Sequence, residues 1–377
     1  MNWKIILVCS ALLIITASCG QKSFETHTVD IIDGVRHIHN NAPQWGDETK
    51  IELEFVQEIG SLEATDENYI MWKISDVCRD SDGNIYIINS GDCRIQKFNA
   101  DGEYMATIGR KGEGPGEFKS SPVNLTFAPN EELYVGVNYD FIVLDKAGKE
   151  LRRYRQETDI RPSQCWLLPG GRMIIGGKFG MVGLLSDAQR MSFDYENFPL
   201  FFICDLEGKV VHSFGKPDVI INPKSSDYYI VADAPVAVDG AGNIYITYRY
   251  KNLIEKRDAD GNILFAADRK LNYEVTEVND VMNAPNTVSM GIAVDHKNRI
   301  WILTFVSQPE NWKTLFDSES SLIEKSYAVF EVFDDESILL GSLPLPEDIF
   351  LFRIFDDRLL IVDPDRVSVS EYKIVEK

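Results

Sequence analysis

The stretch that decides the fold runs from Asp76 to Gly109 and reads DVCRDSDGNIYIINSGDCRIQKFNADGEYMATIG. It contains four short apolar or alternating runs, separated by turn sequences at Asp82-Gly83-Asn84, near Gly91 and at Asp101-Gly102. Asp-Gly and Gly-Asn pairs between such runs are typical of β-hairpins. The stretch therefore predicts one antiparallel sheet of four strands, each joined to the next by a short turn.

The same pattern returns along the rest of the chain. The best copy, VAVDGAGNIYITYRYKNLIEKRDADGNILFAA, covers residues 236–267, and weaker copies begin at Leu125, Cys165, Ile292 and Arg353. The second strand of each copy carries an aromatic or aliphatic residue at Tyr86, Tyr134, Ile174, Tyr245, Trp301 and Leu360. Four-stranded units that recur at intervals of this size indicate the blades of a β-propeller.

The two ends of the chain predict how the ring closes. The last copy stops after its third strand, near Glu371 to Val375, whereas IELEFVQEIG at residues 51–60 ends like the fourth strand of the first copy. We therefore expect an all-β fold, a six-bladed β-propeller with four-stranded blades. An N-terminal strand completes the last blade and removes its open sheet edge.

Composition excludes some classes of function. The 377 residues include 38 Lys and Arg and 59 Asp and Glu, so the net charge is −21. A general nucleic-acid binder needs a cationic surface, so we expect no nucleic-acid partner. The same charge argues against docking of the protein surface on anionic lipid. We expect a monomer.

The first twenty residues have the pattern of an export signal. Lys4 precedes an apolar run from Ile5 to Ile15, and small residues then lead to Cys19. This pattern is typical of a secretory signal, and its core is too short for a membrane-spanning helix. Cysteine directly after small residues resembles a bacterial lipoprotein cleavage site, which implies lipid on Cys19. Gly20 favours the outer membrane, and the side that the protein faces stays open.

These features give three segments. We predict a lipoprotein signal peptide over residues 1–18, a lipid-anchored tether and pre-propeller segment over 19–50, and the propeller over 51–377. Four further cysteines, Cys78, Cys93, Cys165 and Cys204, lie in the propeller without a CxxC pair. Spacing cannot decide whether they pair, and buried free thiols are the favoured interpretation.

Two stretches carry a family resemblance. RIQKFNADGEYMATIGRKGEGPGEF, residues 94–118, resembles an NHL-type propeller repeat with its Gly-rich blade linker. HNNAPQWGDETKIELEFVQEIG, residues 39–60, together with the lipoprotein head, resembles the six-bladed β-propeller lipoproteins of Bacteroidetes. The resemblance implies the fold over essentially the whole mature chain, and it transfers no catalytic residue.

Insertions predict where a ligand binds. Residues 178–200 and 307–325 fall between second and third strands, and 216–229 and 270–288 fall between blades. All four belong to the face where the innermost strands begin, here called the top face; the opposite face is the bottom face. Long loops of this kind are commonly functional, although their aromatic residues could instead pack the insertions onto the propeller. The candidate binding residues at the top face and channel mouth are Trp72, Asn124, Arg161, Phe179, Tyr195, Tyr228, Asp233, Arg249, Trp312 and Arg353.

Charges at the channel mouth allow two interpretations. Arg161, Asp233 and Arg353 are expected near the starts of innermost strands. A free guanidinium there could hold a ligand carboxylate. Paired charges that close the channel are the favoured alternative.

Three motifs resemble metal or phosphate sites. Asp80-Ser-Asp82-Gly-Asn84 resembles the start of a calcium loop, but Gly91 stands where a bidentate acid is needed. Gly112-Glu-Gly114-Pro-Gly116 resembles a phosphate loop, but Glu113 and Glu117 flank the glycines and would repel phosphate. His37 and His39 could share a strand face, but no third ligand has a suitable spacing. We therefore predict no metal and no cofactor.

The sequence favours a binding module over an enzyme. The expected ligand is a glycan, a peptide or another protein of the cell envelope. The alternative is a metal-dependent, lactonase-like hydrolase or lyase at the central channel. That chemistry needs several acids and Asn, or channel histidines, whereas only Asn124 and Asp233 are of the first kind. His212 and His296 are expected on an outer strand and in a bottom-face turn, away from the channel.

Overall fold

The structure is a computed structural model that describes residues 25–157, 164–176, 199–216, 218–221, 228–231, 234–275, 286–308, 323–363 and 365–377. For 218–221 and 228–231 only the backbone is described. The described residues form strands and two short 3-10 helices, over Glu67–Tyr69 and Ser90–Asp92. Neither helix has the length to span a bilayer, and no other helix occurs in the described ranges.

Three strands precede the first blade. They are β1 (His27–Ile32), β2 (Val35–Asn40) and β3 (Ile51–Ile59). Blade one then contains β4 (Ile74–Arg79), β5 (Ile85–Asn89), β6 (Arg94–Phe98) and β7 (Tyr104–Ile108). Blade two contains β8 (Pro122–Phe127), β9 (Leu133–Val137), β10 (Asp140–Leu144) and β11 (Glu150–Arg155). Blade three contains β12 (Cys165–Leu168), β13 (Arg172–Gly176), β14 (Phe201–Asp205) and β15 (Val210–Phe214).

A separate two-stranded sheet lies in the linker after blade three, which contains the insertion over residues 216–229. Its strands are β16 (Asp218–Ile221) and β17 (Tyr228–Val231). Blade four contains β18 (Val236–Val238), β19 (Ile244–Thr247), β20 (Ile254–Arg257) and β21 (Ile263–Arg269). Blade five contains β22 (Ser289–Val294), β23 (Ile300–Phe305), β24 (Ala328–Phe333) and β25 (Leu339–Pro344). Blade six contains β26 (Leu351–Phe355), β27 (Arg358–Asp363), β28 (Ser368–Glu376) and the N-terminal β3.

The innermost strands close a ring. They contact one another in the cyclic order β4, β8, β12, β18, β22 and β26, and β26 returns to β4. The prediction of an all-β, six-bladed propeller is confirmed. Blade six is completed as predicted, because β3 pairs antiparallel with β28 from Ile51 opposite Glu376 to Ile59 opposite Val369.

The segment before β3 forms a belt around the outside of the propeller. The β1–β2 hairpin extends blade four to a six-stranded sheet, with β2 parallel to β21. The Asn40 side chain is buried and bonds to Asp268 and Ser337 carbonyls, 2.9 and 3.0 Å away. Farther along, Trp45 packs against Gly341, where a Cβ atom would meet the indole at 2.4 Å. The belt therefore joins blades four, five and six.

The hydrophobic core is divided among the blade interfaces. The described residues form six buried clusters, and each cluster lies between two neighbouring blades. Tyr86 of blade one, for example, packs with Leu133 of blade two, and Ile59 in the last blade packs with Val77 of blade one. A single blade cannot bury its faces alone, so its stability depends on both neighbours.

The repeated Asp and Asn residues build the turns between first and second strands. Asp80 Oδ1 accepts from the backbone N–H groups of Asp82 and Asn84, at 3.0 and 2.8 Å. Its Oδ2 accepts from Asn84 Nδ2 at 2.9 Å and from the Tyr86 hydroxyl at 3.1 Å. Burial raises the pKa of Asp80, but these bonds together outweigh burial and leave the pKa below its usual value. Asp239, Asn243 and Tyr245 repeat the arrangement in blade four. The calcium-like motif is therefore a hairpin turn.

The four propeller cysteines are free and buried. Burial raises the pKa of the Cys78 and Cys165 thiols and brings the pKa of Cys204 to about 12. Thiols of this kind stay protonated and unreactive in the folded chain.

Ring closure can be tested by deletion. Removal of residues 51–60 would expose the edge of β28, so we expect aggregation, because open edges pair with other chains. Removal of 25–46 takes away the belt but leaves β3, so we expect a folded monomer of lower stability. Size-exclusion chromatography and thermal unfolding measure both. A 51–60 deletion that is monomeric and as stable as the intact chain would contradict closure by β3.

The turn carboxylates can be tested by substitution. Asp80→Ala leaves four donors without their acceptor, so we expect the free energy of unfolding to fall by about 1–3 kcal/mol. Asp82→Ala, at a position 67% exposed, is the control and should lose less than about 1 kcal/mol. Urea denaturation measures both. Since the folded-state pKa of Asp80 lies below its unfolded value, its stabilisation is present near neutral pH. It is lost as the pH falls below about 4. If Asp80→Ala and Asp82→Ala lowered the free energy of unfolding equally, the special role of Asp80 in the turn would be contradicted.

Candidate functional site

An ion pair between blades six and one lies at the central channel. Arg353 Nη2 is 2.9 Å from Asp76 Oδ1, and Asp76 is only 1% exposed. Burial raises the pKa of the Asp76 carboxyl, while Arg353 and three hydrogen-bond donors oppose that rise. The favoured interpretation of Arg353 was a paired charge. The structure supplies its partner, a residue that the sequence analysis had not singled out.

Asp76 also joins blade one to blade two. Its Oδ2 accepts from Asn124 Nδ2 at 3.0 Å and from the Leu125 backbone N–H at 3.3 Å. Its Oδ1 accepts from the Val77 N–H at 3.0 Å. Asn124 is therefore buried and bound within the protein, and its Oδ1 has no hydrogen-bond partner among the described residues.

Trp166 completes this group from the opposite side of the ring. The Arg353 guanidinium lies over its indole, with Cζ 5.0 Å from the ring centroid. Blades three and six are opposite each other in a six-membered ring, so Arg353 reaches across the channel. The Trp166 indole N–H is buried and finds no acceptor in the part of the chain that the structure describes. These side chains therefore bridge the channel between blades six and three, along the innermost strands rather than at the mouth where Arg353 and Asn124 were expected.

A depression of about 420 Å³ lies on the bottom face beside this closure. Its walls are the ends of the innermost strands and the following turns in blades one to four. They include Thr126 and Phe127 of β8, Trp166 of β12, and the turn residues Ser81, Glu131 and Gly240. The volume falls in the range of small-molecule sites, and the lining combines aromatic surface with a few polar groups.

A polar network forms one rim of the depression. Lys146 Nζ pairs with Asp82 at 2.9 Å and bonds to Ser81 Oγ at 3.1 Å, and it also pairs closely with Glu131. Bonds from Lys146 and Ser81 hold the pKa of Glu131 below its usual value. These same bonds keep the Glu131 carboxylate ionised and positioned.

Few of the predicted binding residues lie in described parts of the chain. Arg161, Phe179, Tyr195, Asp233 and Trp312 lie outside the described residues, as does Cys19, and Tyr228 is described only by its backbone in β17.

Trp72 and Arg249 lie on the top face. Trp72 is 65% exposed; its backbone N–H bonds to Asn89 Oδ1 at 3.2 Å, and its Cβ lies beside Gly91. The Arg249 guanidinium lies over Tyr250, with Cζ 5.5 Å from the ring centroid. Their roles in binding stay predictions.

The other motifs have structural roles where they are described. Carboxylates of Glu117 and Glu150 accept from the N–H groups of Gly114 and Gly116, at 2.9 and 2.6 Å, within the linker from blade one to blade two. His39 Nδ1 is 2.7 Å from Asp268 Oδ2. His212 lies on the outer strand β15, and no group of three potential metal ligands converges among the described residues.

Sequence reasoning missed Asp76 and Trp166. Asp76 is the first residue of the clearest repeat, and Asn124 occupies the equivalent position in blade two. A polar residue at the same position of two innermost strands was the signal that could have identified Asp76. Trp166 had no comparable signal, because its contact to Arg353 joins residues 187 positions apart in the chain.

Comparisons with known proteins agree with the fold. The family model DUF5128, described as a six-bladed β-propeller, matches residues 47–155. A Bacteroides fragilis protein, provisionally described as exported, has a solved structure that superposes with a TM-score of 0.57. It is 11% identical, and the match covers 90% of this chain and 99% of that one.

A member of the DUF4221 family from Bacteroides vulgatus gives a TM-score of 0.56 at 11% identity, over 87% of this chain and 99% of that one. No curated protein matches the sequence significantly. The chain is therefore a β-propeller similar to these Bacteroides proteins in fold.

The channel closure makes a stability prediction. Asp76→Ala strands the Arg353 charge, so we expect the free energy of unfolding to fall by about 3–5 kcal/mol. The double variant Asp76→Ala/Arg353→Met removes that charge too, and it should be more stable than the single variant. Urea denaturation of wild type, both single variants and the double variant measures the coupling. Additive effects would show that the two side chains do not depend on each other.

Proposed function

We propose that the protein is an exported, lipid-anchored propeller that binds a ligand at the cell envelope. The ligand class is a glycan, a peptide or another envelope protein. The observation that carries the proposal is the bottom-face depression, where Trp166, Phe127 and the Glu131 network surround a concave surface. Aromatic surface with a few fixed polar groups is typical of binding sites.

The closed channel supports binding at a mouth rather than passage through the ring. Arg353 spans the channel from Asp76 in blade one to Trp166 in blade three. A ligand therefore meets either the bottom-face depression or the top face with its exposed Trp72. The depression is the stronger candidate because its described side chains converge from four blades.

The proposed cellular location is inferred from the N-terminal sequence. A basic head, an apolar run and Cys19 after small residues support export and lipidation. Similarity in fold to a Bacteroides fragilis protein provisionally described as exported agrees with this location. Gly20 supports placement at the outer membrane.

Lipidation can be tested in the producing cell. Cys19→Ala should abolish metabolic labelling with radioactive palmitate and move the protein out of the membrane fraction. Cys9→Ala, within the predicted signal peptide, is the matched control and should keep both. A Cys19→Ala protein that stays labelled and membrane-bound would refute the anchor.

Ligand binding can be tested by thermal shift on residues 20–377 with neutral oligosaccharides, peptides and divalent cations, each with and without EDTA. A ligand at 100 times its Kd stabilises the folded state by about 2.7 kcal/mol. We expect stabilisation by a saccharide or peptide that EDTA does not change. Stabilisation by a divalent cation alone, abolished by EDTA, would favour the hydrolase or lyase alternative and overturn the proposal.

A further inference from the structure

The bottom-face depression has a lining that selects one ligand chemistry. This inference rests on the proposed function and narrows it to a single site. The aromatic part is Trp166, whose indole is fixed by the Arg353 guanidinium at 5.0 Å, while Arg353 is itself held by Asp76 at 2.9 Å. A rigid aromatic ring loses little conformational freedom on binding, so it suits a flat apolar ligand face.

A second aromatic ring is fixed independently. Phe127 packs edge-on against Tyr86, with centroids 5.0 Å apart and an interplanar angle of 70°. Tyr86 is fully buried, and its hydroxyl bonds to Asp80. Both rings of the depression are therefore set by contacts that exist before any ligand binds.

The polar part offers acceptors and hydroxyl groups. Glu131 is ionised and positioned by Lys146 and Ser81. Thr126 adds a hydroxyl group that can both donate and accept, whereas the Ser81 hydroxyl already donates to Glu131 and accepts from Lys146. Asp239 also lines the depression, but its carboxylate is occupied by its own turn.

Charge excludes anionic ligands. Glu131, Asp239 and the nearby Asp82 are met by the single cation Lys146 in the described rim. A phosphate or carboxylate ligand would face net repulsion there, in a protein of net charge −21. Lys146 already has two acidic partners, so it provides no free cation for an anion.

We propose that the depression binds a neutral saccharide. The apolar face of a sugar ring stacks on Trp166, and ring hydroxyls donate to Glu131 and exchange hydrogen bonds with Thr126. A polyhydroxylated ring has an apolar face and many donors without net charge, and this combination matches the lining.

Substitution of Gly240 by a large residue should block the depression. It lines the depression, has no positive φ, and a Cβ atom added there meets nothing within 4 Å. Gly240→Trp should therefore fill the depression without strain. Ala147→Trp is the matched control, since Ala147 is exposed in an equivalent Asp-led turn on the bottom face and does not line the depression.

The experiment uses residues 20–377 as wild type, Gly240→Trp, Ala147→Trp and Trp166→Ala. Maltotriose, xylotriose, mannotriose and chitotriose are the neutral probes, with galacturonic acid trimer and chitosan trimer as anionic and cationic probes. Saturation-transfer NMR and calorimetry measure binding, and thermal unfolding checks the fold. We expect a neutral trisaccharide to bind wild type and Ala147→Trp equally, and Gly240→Trp and Trp166→Ala at least tenfold more weakly.

The remaining outcomes separate this inference from the proposed function. Peptide binding without saccharide binding overturns the saccharide inference and leaves the binding module standing. Saccharide binding that Gly240→Trp does not weaken overturns the site, and preference for the cationic trimer overturns the neutral class. Absence of binding by every saccharide and peptide overturns the saccharide inference and leaves an envelope protein as the remaining ligand class of the proposed function.

Discussion

Pairing of β3 with β28 is the constraint on which the rest of the structure depends. Each propeller blade packs its two faces against two neighbours. Because the blades follow one another along the chain, the interface between the last blade and the first joins the two ends of the chain. Here nine residues before blade one supply the outer strand of blade six. The buried Ile59 then packs with Val77 and Ile87 across the last interface. Without that pairing, blade six would lack its fourth strand, and the cluster between the first and last blades would lose Ile59.

The belt before β3 extends this closure over a larger part of the ring. β2 pairs with β21 in blade four, Trp45 covers Gly341 in blade five, and β3 enters blade six. Separation of blade four from blade five, or of blade five from blade six, would have to break these contacts as well. Closure is therefore distributed over half of the blades, which favours cooperative unfolding of the ring.

Sequence periodicity predicted the fold because each blade repeats a local signal. Asp80, Asn84 and Tyr86 lie within seven residues, and their bonds form within one hairpin. The same reasoning could not place the belt, because the parallel pairing of His37 with Ala266 joins segments 229 residues apart. The site was predicted only in part. Arg353 was recognised as a channel charge, but its contacts to Asp76 and Trp166 depend on ring geometry that no local pattern encodes.

The buried ion pair explains how closure and binding are linked. Removing Asp76 and Arg353 from water costs several kcal/mol per ion, and the attraction between them repays this only with good geometry and further hydrogen bonds. Asp76 has those bonds, from Val77, Leu125 and Asn124. The net contribution to stability is therefore small, and the main effect of the pair is geometric. It holds a guanidinium across the channel, and that guanidinium lies over the Trp166 ring, which also lines the depression.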